Sequence, residues 1–598
     1  MITTVQRMLL VALFLILGME LFSQTIPQSR TVDWTQAGLL QNINEPNIFL
    51  SVMDFGAVGD GLTNDYPAVQ EAIDAMNNQP GVLYFPEGTY LLSQTIVAHT
   101  GLVIRGDGAN DTRLKFFLES DNVNAIQISS SQITEFQAIQ SGYEIGSQNL
   151  TLNSTGGFQI GDFLEMRQEN GDWDIVPIGW ASKVVGQVLQ ISQISESVLM
   201  LEHALRFNYE AVYHPELRMI TPIKDVVVEN LKIERLDEPE SGGGKNIYMA
   251  YAVNCRISGV ESVKSQGSHI YISNSSNIHV FGNYIHDAFL FDGTDTRGYG
   301  ITLNMHAGEV LVENNIFKNL RHAMMVKTGA NGNVFTYNYS CEPHRSEPIS
   351  DYSGDISVHG HYAYANLFEE NICQNIIIDH YWGPGGPYNT FFRNRTELYG
   401  LLMTTNSILE TVDQNFVGNE ITNSFPYGFY FLTGSGHFEY GNNDGGNAVP
   451  NGTSDLTDIS YFYNERPWFV ESSYPFPAIG FPHSLNQWSN PAKDRYLDGP
   501  MTVEIEHTVS IEEWSNRDHL DLQIRLLQNP VLDDVLLEVK GFLPEMYVIY
   551  NITGQEVSQG QIAQNINIQI PVAQLESGIY LLEIYSESAR RVLKFYKK

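Results

Sequence analysis

The stretch "DISVHGHYAYANLFEEN" at residues 355–371 sets His359 and His361 one residue apart. On an extended strand alternate side chains share a face, so both imidazoles would project together. Imidazoles so placed can ligate a metal, move a proton near neutral pH or bind a polar ligand. Which of these applies depends on the side chains that the fold brings beside them, so the elements around the pair come next.

Asparagines recur along the middle of the chain after short apolar stretches, at Asn230, Asn283, Asn315, Asn338, Asn371, Asn394 and Asn419. Three residues before each stands an apolar side chain: Val227, Val280, Val312, Phe335, Phe368, Phe391 and Phe416. "CRISGV", ending at Val260, fits the register missing between the first two. Short gaps alternate with longer ones, as in a solenoid whose coils carry loop insertions. Asparagines stacked at one corner could satisfy one another's amides and so be buried without penalty.

Roughly a dozen residues before each asparagine lies a strand of the form apolar, any, apolar, polar. "IYIS", "ITLN", "MMVK", "ISVH", "IIID" and "LLMT" end at Ser273, Asn304, Lys327, His359, Asp379 and Thr404. Alternation sends the apolar pair inward and the last residue outward. With coils stacked at strand spacing, those six residues form one outward column. A second column two residues on would hold Ser275, His306, Gly329, His361 and Tyr381. An expanded turn in "DHYWGPGGP" leaves open whether Asp379 or His380 joins the first column. The insertions 284–298 and 339–354 bring Asp287, Asp292, Asp295, Arg297, His344 and Arg345 to its edge, and Arg321 and His322 enter the Lys327 strand.

Near the N-terminus, "DFGAVGDGLTND", "AVQEAIDA", "LYFPEGTY" and "IRGDG" follow one another. "YPAVQEAIDAM" reads as a helix, with Val69, Ile73 and Met76 on one face, Asp65 as N-cap and Pro67 in its first turn. This signature resembles the pectate-lyase-like superfamily, in its rhamnogalacturonase- and epimerase-like members. The resemblance implies an all-β, right-handed parallel β-helix with a short N-terminal capping helix, here over 46–485. It does not fix the reaction, because the superfamily includes lyases, epimerases, hydrolases and adhesins.

Four kinds of chemistry suit the column. β-Elimination or C5 epimerisation of a uronic-acid polysaccharide needs a base beside the proton next to the carboxylate, and a cation for the developing enediolate. Lys327 or His359 would be the base, with Arg321, Arg297 or His361 as the cation, and Tyr381 would return a proton. The column resembles the lysine- and arginine-dependent lyases of the superfamily. Substrate contacts would come from Asn304, His306, His322, His361, His380, Arg297 and Trp382. Glycoside hydrolysis needs two carboxyl groups, for which Asp379 and Asp355, with Asp292 or Asp295, are the candidates. The clustered-Asp, Gly-His-Gly pattern of polygalacturonases is absent, since "VHGHY" reverses its middle element. A binding module would hold sugar on Tyr362, Tyr364, Tyr381 and Trp382. A metal would use His306, His359 and His361, or calcium would sit among Asp287, Asp292 and Asp295.

Whole-chain properties narrow the partners. The 598 residues carry 33 Lys and Arg against 69 Asp and Glu, a net charge of −36. That field argues against nucleic acid or an anionic membrane as partner and makes a local Lys, His and Arg cluster more telling. An acidic polysaccharide and the export machinery are the expected partners, and the protein is expected to act as a monomer. Three cysteines, Cys255, Cys341 and Cys373, allow at most one disulfide. Residues 1–23 have the charged, apolar, polar order of a secretory signal. After a polar connector at 486–523, residues 524–598 read as a small β-sandwich. "NP", "YVIYNITGQEVSQG", "LESGIYLLEI" and the basic end at Lys594, Lys597 and Lys598 resemble the sorting domain of type IX secretion cargo. That resemblance implies export to the surface of a Bacteroidota-type cell or beyond.

Overall fold

The structure is a computed structural model that describes residues 25–405, 408–424 and 426–505, and most of 523–597 in short stretches. The expected signal peptide and the connector residues 506–522 lie outside the described residues. Residues up to Ile505 form one compact unit and those from Glu506 a second.

The first unit is a right-handed parallel β-helix. A typical coil lays down three short strands, such as Leu311–Glu313, Ile316–Lys318 and His322–Val326, each paired in parallel with its counterpart one coil away. Inward side chains stack in file: Phe335, Phe368, Phe391 and Phe416 are all fully buried, with successive rings 5.0, 5.1 and 5.3 Å apart and nearly parallel. The helix Tyr66–Ala75 covers the N-terminal end of this core with Val69, Ala72 and Ile73. Asp65 does not cap it through its side chain; its carboxylate accepts from Val58 and Gly59 N–H and ties down the preceding turn.

The corner asparagines form a continuous ladder. Nδ2 of Asn283 donates to Oδ1 of Asn315, and the relay passes through Asn338, Asn371, Asn394 and Asn419 to Asn442, each step 2.9–3.0 Å. Asn230 stands off it, exchanging hydrogen bonds with the backbone of Ile505 instead. A second ladder, Asn333 to Asn366 to Asn389 to Gln414, runs along another corner.

Two features depart from the sequence expectation. Between residues 137 and 220 the chain leaves the solenoid and closes a separate barrel of antiparallel strands, from Gln137–Ser141 to Glu216–Ile220. The expected connector also starts later than 486. Asn490 donates to the carbonyls of Asn338 and Glu370, and the helix Pro491–Asp498 sets Ala492 among Ile316, Tyr339 and Ile372. The second unit packs two antiparallel sheets around Val535, Leu537, Ile549, Ile570 and Leu582.

Candidate functional site

Strand register builds the column. Ser273 pairs with Asn304 and His359 with Asp379, while Leu303–Val326–Val358 and Ile378–Met403 are aligned one residue earlier. Lys327 therefore lies between Asn304 and His359, and Thr404 follows Asp379. It is Asp379, not His380, that stands beside His359.

His359 and Asp379 make a close pair, Nδ1 to Oδ2 2.6 Å, and the other Asp379 oxygen accepts from Tyr381 N–H at 3.0 Å. Burial would raise the Asp379 carboxyl, but the His359 imidazole and the Tyr381 amide hold it below its ordinary value. With Nδ1 facing the carboxylate, Nε2 of His359 is left to the cleft. Lys327 has no hydrogen-bond or ion-pair partner for its ammonium among the described residues. Burial lowers it to about 8, the nearby Asp295 opposing that shift and Lys245 adding to it. His322 packs edge-on against Tyr299 at 4.8 Å and donates Nδ1–H to Gly354 O. Burial, with Arg321 and His359 close by, drives it to about 3, so it is neutral near pH 7. Arg321 donates to the Tyr299 hydroxyl at 3.3 Å and keeps its Nε buried without a partner.

These groups line a cleft of about 510 Å³ with Arg345, Tyr352, Tyr381, Trp382 and Trp180. Its entry flank is cationic, through Arg321 and Arg345; its exit flank is aromatic.

The second column breaks at the turn. Gly360, His361 and Tyr362 all have left-handed φ, 60°, 44° and 61°, which swings His361 off the strand line. His361 stacks on Trp382 at 5.7 Å and bonds Val176 O, while Tyr381 lies parallel to His359 at 6.4 Å. The expected facing of His361 and Tyr381 is not formed.

Several other candidates serve the scaffold. His306 is buried between Glu165 and Lys183 O of the barrel, too far committed to join His359 and His361. His380 turns inward, accepting from Thr411 N–H and bonding Thr404. Arg297 is buried and spent on Asp292, Gly242 O and Glu240 O, so it does not reach the cleft. Asn304 is buried and bonds Ser273. Asp355 is enclosed by Ser340 and the amides of Gln374 and Asn375, and burial raises it to about 6. Asp287, Asp292 and Asp295 go separately to His286 and Asn319, to Arg297, and to Lys245. Among the described residues no three His, Cys, Asp or Glu side chains converge as a metal site. All three cysteines are free and buried.

Tyr299 and Trp180 were missing from the sequence-based set. Tyr299 begins the strand that ends at Asn304 and was legible as such. Trp180 comes from the inserted barrel, outside the repeat, and nothing in the sequence ties it to the column.

Three family models match separate stretches. Residues 49–173 match "Rhamnogalacturonase A/epimerase, pectate lyase-like", residues 220–342 match "Right handed beta helix region" and residues 529–598 match "Secretion system C-terminal sorting domain". The last marks the chain for secretion or cell-surface display through the type IX route. His359 and Asp379 lie beyond all three. A mannuronan C5-epimerase of Azotobacter vinelandii is 39% identical over 87 residues, 13% of this chain and 6% of that protein. The plasmin and fibronectin-binding protein A of Streptococcus pneumoniae is 51% identical over 57 residues, 9% of this chain and 8% of that protein. The chain thus spans less than a tenth of the length of either. The tailspike gp61 of Pseudomonas phage phi297 aligns over 92% of this chain and 98% of its own at 12% identity, with a TM-score of 0.47.

Proposed function

We propose that this protein is a secreted enzyme that abstracts the proton next to the carboxylate of a uronic acid in a polysaccharide, leading to β-elimination or C5 epimerisation. The observation that carries this is the His359–Asp379 pair set beside the unpaired Lys327 in one cleft. Asp379 holds the Nδ1 proton of His359, which leaves Nε2 with its lone pair to take the C5 proton. The electron pair moves toward the carboxylate, and the cations of Lys327 and Arg321 stabilise the enediolate that forms. Expulsion of the C4 oxygen, protonated by Tyr381, completes elimination. Return of a proton to the opposite face of C5 completes epimerisation. A C5-epimerase among the relatives agrees with chemistry at that carbon.

Hydrolysis fits less well. It needs two carboxyl groups across the scissile bond. Of the carboxylates lining the cleft, Asp379 is held by His359 and Tyr381 N–H, and Asp295 by Lys245. Glu347 remains alone. The test is a screen of the purified protein on uronate and neutral polysaccharides, following ultraviolet absorbance, reducing ends and product NMR together. New absorbance, or inverted C5 centres by NMR, supports the proposal. Reducing ends without absorbance would replace it with hydrolysis, and binding without any product would leave an adhesin.

A further inference from the structure

We infer that the inserted barrel completes the cleft: Trp180, together with Trp382 and Tyr381, forms an aromatic shelf that holds the face of a sugar ring adjacent to the reacting one. This rests on the uronate reading above and adds the determinant of chain length.

Two of these rings are left largely to solvent, Trp180 at 57% and Tyr381 at 73% exposure, although both line the cleft. The rings run in contact across the exit flank. Trp180 meets His361 edge-on at 5.7 Å, His361 stacks on Trp382 at 5.7 Å, and Trp382 meets Tyr381 at 5.0 Å. Aromatic faces suit the C–H face of a sugar, and among the described residues lining the cleft both arginines stand on the other flank, so recognition here is chiefly by stacking. Arg321 and Arg345, on the entry flank, supply the charge.

The shelf is rigidly seated. The carbonyl of Val184 lies 1.7 Å from where a Cβ on Gly329 would stand, so the barrel can approach only because that residue is glycine, with φ +69°. His306 bonds Lys183 O, and both Asn331 and Tyr364 donate to Gly186 O. The buried Arg206–Glu309 ion pair, 2.8 Å, ties the barrel to the solenoid a second time. An insert pinned this firmly, and carrying an exposed tryptophan at the cleft on the turn Gly179–Ala181, is built to present that ring.

The test measures binding of uronate oligosaccharides of increasing length by calorimetry, using the full secreted protein with His359→Ala to prevent turnover. Affinity should rise with length until the shelf is filled. Adding Trp180→Ala should weaken the longer oligosaccharides about tenfold and leave the shortest unchanged, and Trp180→Phe should restore most of the loss. Trp468→Ala, which removes another exposed tryptophan outside the cleft, should change nothing. Equal affinity for every length with and without Trp180, while the protein that keeps His359 turns over uronate, would overturn the shelf and leave the proposed function standing. Failure of the wild-type chain to bind or turn over any uronate would overturn both.

Discussion

Replacing Asp379 by Asn keeps the shape of the side chain, removes its charge and turns one acceptor oxygen into an NH2 donor. In the native site Asp379 accepts twice, from His359 Nδ1–H at 2.6 Å and from Tyr381 N–H at 3.0 Å. An amide can accept with only one end. If its oxygen keeps the Tyr381 amide, its NH2 faces His359, whose Nδ1 must then become the acceptor. The ring proton moves to Nε2, and the lone pair that takes the C5 proton is gone. If the amide flips, its NH2 is driven against Tyr381 N–H, two donors face to face. Loss of a positioned general base costs about 10²–10⁴ in rate, or about 2.7–5.5 kcal/mol of transition-state stabilisation. The loss should fall on kcat, with KM little changed, since both Asp379 oxygens are taken by His359 and Tyr381 N–H and not by substrate. Initial rates on the best uronate polymer give both numbers, and a melting curve shows whether the variant is folded. A folded Asp379→Asn protein with kcat within about threefold of wild type would refute the dyad.

Other outcomes follow from the same geometry. Lys327 is lowered by burial to about 8, so its charge is present below that pH and lost above it; kcat/KM should fall as pH rises through about 8, and Lys327→Arg should remove that limb from the pH profile. The Asp379 carboxyl is held below its unfolded value, so it adds stability that is present near neutral pH and lost as pH falls through the folded value. The melting temperatures of wild type and Asp379→Asn should therefore converge in acid. Asn338→Ala strands the Asn315 backbone N–H, one Asn315 amide hydrogen and Val312 O in the core, costing about 3–5 kcal/mol by denaturant titration. Asn230→Ala, off the ladder and losing only its two bonds to the Ile505 backbone, should cost less, about 1 kcal/mol. Gly329→Ala should unseat the barrel at Val184, seen as new proteolysis within residues 137–220.

The solenoid and its polar column were legible because a β-helix converts sequence period directly into spatial neighbours. Once "ISVH" and "IIID" share a register, His359 and Asp379 must adjoin. The Asn283–Asn419 ladder was legible for the same reason, although Asn230 obeyed the pattern and still went elsewhere, to Ile505. Residues past the strand ends were not legible. Three left-handed residues at 360–362 moved His361 onto Trp382, a backbone choice that spacing does not reveal. Arg297, His306 and His380 look like site residues by type. Asp292, Glu165 and Thr411 hold them instead, the second from a barrel more than a hundred residues away. That barrel breaks the repeat, so Trp180 could not be placed from sequence.

The central claim is that the proton next to the uronate carboxylate is removed. It is tested most directly by incubating the protein with a uronate oligosaccharide in deuterium oxide and following the C5 hydrogen by NMR. This signal should be lost, through a new double bond or through deuterium at C5, and the His359→Ala variant should leave it intact. Cleavage of the chain with the C5 hydrogen fully retained would contradict it.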